Sequence, residues 1–102
     1  MQQAQELKTV LQRLQDWYAK QCDGDWEHQF GVSIVSTDNP GWHVKIDLKG
    51  TKWEDATFKG IRTRASESDW IMCSKRELQF VGAGDPNKLE EIVSYFLSIV
   101  NR

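Results

Sequence analysis

Two runs of alternating apolar residues, joined by a turn-forming segment, constrain this fold more than any other part of the sequence. The segment between them is Asp38-Asn39-Pro40-Gly41, whose residue types favour a turn. The pattern predicts a β-hairpin from Phe30 to Leu48 that is buried on one face. The alternating apolar residues are Phe30, Val32, Ile34, Trp42, Val44, Ile46 and Leu48.

The alternation also predicts the register of the hairpin. If Val32 faces Ile46, all the apolar side chains lie on one face, and the loop has an odd number of residues, most simply the five from Thr37 to Gly41. A slip of one residue would mix the polar and apolar faces. Pro40 suits the first central position of the turn, and we expect Gly41 to have a positive φ.

The N-terminal part of the chain shows helical spacing. From Leu7 to Tyr18, apolar residues recur at steps of three and four, with polar residues on the other side. This spacing predicts an amphipathic helix from about Gln3 to Gln21. We expect it to end at Gly24, because glycine tolerates the left-handed conformation of a helix cap.

The C-terminal part shows the same spacing, from Leu89 to Val100. Asp85 suits the N-cap of a helix, and Pro86 suits its first helical position. We therefore expect a last helix that begins at Pro86.

The strand pattern between the hairpin and this helix is weaker. The segment Thr57 to Ile61 could form a third strand, although Gly60 disfavours it, and residues 65–68 are typical of a polar loop. A short last strand is predicted around Leu78, Phe80 and Val81.

A run of β-forming residues extends from Asp69 to Lys75. Either Trp70 and Met72 or Ile71 and Cys73 face the core in this strand, and the sequence leaves both alternatives open.

These elements predict an α+β fold. It has an N-terminal helix, a meandering antiparallel sheet of four or five strands and a C-terminal helix, with both helices on one face. A chain of 102 residues is long enough for one modest core, so we expect residues 1–102 to form a single domain.

Composition narrows the classes of function. The net charge of −2 argues against a general nucleic-acid binder. We expect no membrane association and a cytoplasmic location, since no apolar run approaches the length of a transmembrane helix and the N-terminus lacks the features of a secretory signal.

Charge is unevenly distributed along the chain. No Lys or Arg lies between Lys20 and Lys45, whereas the balance is positive from Lys45 to Arg64. The first interval contains the carboxylates of Asp23, Asp25, Glu27 and Asp38. If the fold separates these segments, one end of the molecule has a negative field.

Trp26 lies among these acidic residues, where no periodicity assigns it to the core. An aromatic residue surrounded by carboxylates suits recognition of a basic protein surface. Alternatively, Trp26 plugs the junction between the first helix and the first strand. The sequence favours neither.

Other constellations give weaker indications of chemistry. Asp23, Asp25 and Glu27 alternate like calcium ligands, but His28 and Ile34 occupy the positions of the required Gly and Glu, so we expect no metal and no cofactor. His28 and His43 flank the hairpin among carboxylates, without a third ligand or a nucleophile at a matching spacing.

The two cysteines, Cys22 and Cys73, have no C-x-x-C spacing, and we expect buried free thiols. Cys73 lies within a strand pattern and not at a helix N-terminus, where a thiolate would be stabilised. A catalytic thiol is therefore not expected.

The chain resembles the immunity protein 53 family of bacterial polymorphic toxin systems over most of its length. The resemblance is strongest at Trp26-Glu27-His28 and at Asp38-Asn39-Pro40-Gly41-Trp42. Further matching segments are Trp17-Tyr18, residues 21–28, Gly31-Val32, Asp69-Trp70-Ile71 and Gly84-Asp85-Pro86.

This resemblance implies a small cytosolic protein that is not an enzyme and that binds and neutralises a cognate toxin domain. The acidic, aromatic segment suits a toxin with a basic cleft, such as a nuclease. The candidate contact residues are Asp23, Asp25, Trp26, Glu27, His28, Asp38 and His43.

Two alternatives remain open from the sequence. The first is a small thiol enzyme, similar to a sulfurtransferase, that uses Cys73. The second is a homodimeric structural domain, for which an unpaired edge strand would be the distinguishing feature. The sequence does not determine the oligomeric state.

Overall fold

The computed structural model describes residues 8–101 and has the predicted α+β class. An N-terminal helix precedes a five-stranded antiparallel sheet, and a C-terminal helix follows it. The elements are α1 (Val10–Gln21), α2 (Trp26–Gln29), β1 (Val32–Thr37), β2 (Gly41–Asp47), β3 (Ile61–Ser66), β4 (Asp69–Arg76), β5 (Gln79–Gly84) and α3 (Leu89–Val100).

The strand order in the sheet is β1-β2-β5-β4-β3, and every neighbouring pair is antiparallel. The hairpin β1-β2 joins the meander β3-β4-β5 through β5, which pairs with β2. The segment from residue 48 to residue 60 therefore crosses from β2, inside the sheet, to β3 at its far edge. The two edges of the sheet are β1 and β3.

The predicted register of the hairpin is confirmed. Val32 pairs with Ile46 and Ile34 pairs with Val44, so the apolar residues share one face. The predicted five-residue loop is wrong, because Thr37 pairs with Gly41 and leaves only the three residues 38–40 in the loop. The prediction for Gly41 is wrong, because the glycines with positive φ in the described residues are Gly24 and Gly50. Gly41 provides space instead: a Cβ there would lie 2.5 Å from the carbonyl oxygen of Gly84.

The first helix begins later than predicted. Thr9 and Gln12 form a reciprocal capping box that starts α1 at Val10. The predicted segment from Gln3 to Leu7 lies outside the described residues. The helix ends at Gln21 as expected, but its C-cap is the extended residue Cys22, and Gly24 (φ +97°) lies in the turn beyond.

The last helix also begins later than predicted, at Leu89 with Lys88 as its N-cap. Asp85 and Pro86 belong instead to a turn that connects β5 to the helix. The reason is that the Asp85 carboxylate accepts hydrogen bonds from the N–H groups of Trp70 and Asn87, which fixes it to the sheet.

The third strand lies at residues 61–66, and the predicted strand at residues 57–61 is wrong. Lys75 donates hydrogen bonds to the carbonyl oxygens of Glu54 and Ala56, which hold the preceding segment in an irregular path. The predicted polar loop is correspondingly shorter, with only Glu67 and Ser68 in the turn.

Helices α1 and α3 lie over one face of the sheet, where the core forms. The alternative with Ile71 and Cys73 inward holds for β4, since these residues are 3% and 0% exposed. Phe96 of α3 links the layers, with ring centroids 5.3 Å from Phe80 of β5 and 4.9 Å from Trp17 of α1.

The helices of residues 8–101 are too short or too polar for any of them to span a lipid bilayer.

Candidate functional site

The acidic loop, defined here as residues 23–28, comprises the bend after α1 and most of the short helix α2, and hydrogen bonds to its own carboxylates fix its conformation. Glu27 accepts hydrogen bonds from the N–H groups of Asp23 and Gly24, both at 2.9 Å. One oxygen of Asp23 accepts from the N–H groups of Asp25 and Trp26, at 2.9 and 3.0 Å. These reciprocal bonds give a loop of polar residues a defined conformation.

The same hydrogen bonds keep the carboxylates charged. The N–H groups of Trp26 and Asp25 lower the pKa of Asp23. The pKa of Glu27 is lowered first by its own backbone N–H and then by those of Asp23 and Gly24. No salt bridge within residues 8–101 involves a carboxylate of this loop. The carboxylates of Asp23 and Glu27 are therefore fixed in position by hydrogen bonds from the backbone and not by salt bridges.

Trp26 supports the acidic loop from beneath and is only 6% exposed. Its Nε1 donates to the carbonyl oxygen of Lys49 at 2.8 Å, and its ring packs edge-to-face on Trp17 at 6.1 Å. Of the two alternatives left open by the sequence, Trp26 thus plugs the junction of helix and strand. It is not exposed for direct contact with a partner in this conformation.

The structure separates the predicted contact residues into two groups. Asp23, Asp25, Glu27 and His28 lie together in the acidic loop, at the start of β1. Asp38 is exposed at the hairpin tip, at the other end of this strand. The six residues of β1, at about 3.3 Å each, put roughly 20 Å between the groups.

His43 lies on the open face of the sheet, which no helix of the described residues covers. It pairs with Val35 of β1 on one side and with Ala83 of β5 on the other. Across the sheet, Ala83 pairs with Met72 of β4, and Met72 pairs with Arg62 of β3 at the far edge. His43 is thus closer along the strands to Asp38 than to the acidic loop.

A basic surface at the opposite edge was not predicted as a site. Arg62 and Arg64 of β3 line a shallow depression with Glu67 and Trp70, and this depression extends along the end of the sheet to Asn39 and Pro40 of the hairpin tip. The sequence signal for this surface is the alternation of Arg62 and Arg64, which puts both side chains on one face only if the strand covers residues 61–66 and not residues 57–61.

The structure offers little support for chemistry at the thiols or at a metal. Cys73 is fully buried, and burial followed by the charge of Glu91 raises its pKa to about 12, which favours the protonated thiol. The prediction of a buried thiol is wrong for Cys22, which is only partly buried and donates to the carbonyl oxygen of Tyr18 at 3.4 Å. Within residues 8–101, no three His, Cys, Asp or Glu side chains are grouped so that they could hold a metal ion.

Comparison with known proteins identifies the family of this chain. A family model described as immunity protein 53 matches residues 11–101, which is nearly the whole chain. No curated protein and no solved structure has significant similarity to it.

Proposed function

This chain belongs to the immunity protein 53 family, and from that premise we propose that it neutralises a nuclease toxin by placing its acidic loop against the toxin's basic cleft. Membership of an immunity protein family supports a toxin-neutralising role. The nuclease class and the contact surface are our proposal.

One observation carries the proposal: hydrogen bonds hold the carboxylates of Asp23 and Glu27 in place, and within residues 8–101 no carboxylate of the acidic loop forms a salt bridge. A nuclease cleft must attract phosphate, so it presents cationic side chains. Prearranged carboxylates can occupy such a cleft with little loss of side-chain entropy, because Asp23 and Glu27 are already fixed by hydrogen bonds.

The residues of the acidic loop have different roles in this proposal. Asp25 and His28 are exposed and contact the toxin directly. Asp23 and Glu27 add charge and also shape the loop, whereas Trp26 holds it against the core. Asp38 and His43 form a second contact segment. Inhibition then requires only occlusion of the cleft and no catalytic group.

Asp25→Asn is the sharpest single test of this contact. The Asp25 side chain does not cap the short helix that follows it, so its neutralisation should leave the fold unchanged. At low salt, association with the cognate toxin domain should slow by about two- to fivefold, and the difference should shrink at moderate salt. Stopped-flow or surface-immobilised kinetics would measure it.

The matched control is Glu91→Gln, which removes one negative charge from an exposed position in the first turn of α3. This variant should associate as fast as wild type. Equal rates for Asp25→Asn and wild type, with circular dichroism unchanged, would place the interface elsewhere on the molecule.

A further inference from the structure

We propose that the chain forms a symmetric homodimer in which β1 pairs with β1 of a second copy, continuing the sheet across the dimer. This inference does not depend on the proposed function, because it rests on the edges of the sheet and not on the charges of the acidic loop.

Within residues 8–101, features that discourage pairing with another strand are found on one sheet edge, β3, and not on the other. β3 carries Arg62 and Arg64, and its register with β4 shifts between Arg64 and Ser66. Charges and irregularities of this kind discourage a further strand. β1 has the sequence Val-Ser-Ile-Val-Ser-Thr, with no charge and no proline, and its register with β2 is uninterrupted.

The free edge of β1 presents the backbone groups of alternate residues. The carbonyl oxygen of Gly31 accepts the N–H of Asp47 at 3.0 Å, so odd-numbered residues of this segment face β2. The N–H and C=O groups of Val32, Ile34 and Ser36 therefore point away from the sheet. Within residues 8–101, no strand pairs with them.

An apolar groove beside this edge favours a second copy as the partner. It lies on the helix side of β1, has a volume of about 590 Å³, and includes Leu11, which is 67% exposed. Lys8 and Glu90 also line it, so the groove carries both signs of charge. A two-fold interface requires a surface that complements itself, and this combination meets that requirement. The apolar lining comprises Val10, Leu11, Ile34, Leu89 and Val93.

The directions of the backbone groups select a register. A two-fold axis normal to the sheet at Ile34 places Ile34 opposite its own copy and Val32 opposite Ser36. All three outward-pointing residues then form hydrogen-bonded pairs, which gives about six backbone hydrogen bonds between the chains. The helices of both copies stay on the same side of the sheet, and the two apolar grooves meet across the axis.

The same register joins the two separated groups of the candidate site. Asp38 at the hairpin tip of one copy comes opposite Phe30 of the second copy, two residues from that copy's His28. The acidic loop of one chain and the hairpin tip of the other then form one continuous surface, which occurs twice in the dimer.

Two variants test the edge and the groove separately by sedimentation equilibrium from low micromolar to near-millimolar concentration. Ser36→Pro removes an N–H that points away from β2, so the hairpin keeps its hydrogen bonds. Leu11→Lys places a charge in the groove. Each variant should weaken dimerisation at least about tenfold. Gln15→Lys, one turn further along α1 and outside the groove, should dimerise like wild type.

Amide hydrogen exchange provides an independent readout of the pairing. In the wild-type dimer, the amides of Val32, Ile34 and Ser36 should be protected from exchange. In the Leu11→Lys variant these three amides should exchange faster. The amides of Ser33 and Val35, which bond to β2, should stay protected in both. A wild-type chain that is monomeric over the whole range would overturn the proposal. So would a dimer that survives both variants, or protection of these three amides in a monomer.

Discussion

The carboxylate of Asp85 connects the start of the last helix to the sheet through hydrogen bonds. Its carboxylate is fully buried and accepts hydrogen bonds from the side chain of Lys88 at 2.7 Å and from the N–H groups of Asn87 and Trp70, both at 2.8 Å. Lys88 also reaches Asp69 at 2.8 Å. The hydrogen bond from Lys88, followed by those from Asn87 and Trp70, lowers the pKa of Asp85 to about 2.

This depressed pKa predicts a specific loss of stability in acid. Because the folded pKa lies below the unfolded value of about 3.9, the contribution of Asp85 is complete above that value and is lost as the pH falls towards 2. The Asp85→Asn variant should have a lower free energy of unfolding than wild type at neutral pH. The difference between the two free energies should narrow between pH 4 and pH 2. Urea unfolding at several pH values would measure both. A gap that stays constant would show that Asp85 is not the titrating group.

At the scale of elements, the contact between β5 and α3 depends on glycines. A Cβ at Gly82 would lie 2.4 Å from Cγ2 of Ile92, and one at Gly84 would lie 2.7 Å from Cβ of Lys88. These residues let the helix lie directly on the central strand. At Gly31, by contrast, a Cβ would meet nothing within 4 Å beyond its chain neighbours, and the φ of this residue is not positive.

We therefore expect opposite results from two glycine substitutions. Gly82→Ala should destabilise the fold by about 1 to 3 kcal/mol, because the helix or the Ile92 side chain must shift. Gly31→Ala should be neutral or slightly stabilising, since it only restricts the unfolded chain. Thermal and urea unfolding of both variants would test this contrast, and equal effects would contradict the close packing of α3 on β5.

The hairpin and the edge strand differ in how far the sequence determines them. The register of β1 and β2 was predictable because one face is buried and its apolar residues alternate. The position of β3 was not predictable, because this edge strand has no apolar alternation: Ile61 is half-buried and the other residues are exposed. The first residues of α1 and α3 were predicted too early in the chain for another reason: local hydrogen bonds at Thr9 and at Asp85 determine where these helices begin.

At the scale of the whole molecule, the sequence predicted the α+β class and the two helices on one face, because these follow from the periodicity of long segments. It did not predict that β5 lies beside β2, which depends on contacts distant in sequence. For the same reason it grouped Asp38 with the acidic loop, although β1 separates them. The burial of Trp26 likewise depends on Trp17 and Lys49, which only the fold brings together.

The measurement that tests the central claim most directly is amide hydrogen exchange of the chain, free and bound to its cognate toxin domain. We predict that binding slows exchange in the acidic loop, residues 23–28, and at the hairpin tip around Asp38, and leaves residues 61–66 of β3 unchanged. Slower exchange confined to the basic edge at β3, with the acidic loop unaffected, would contradict the account.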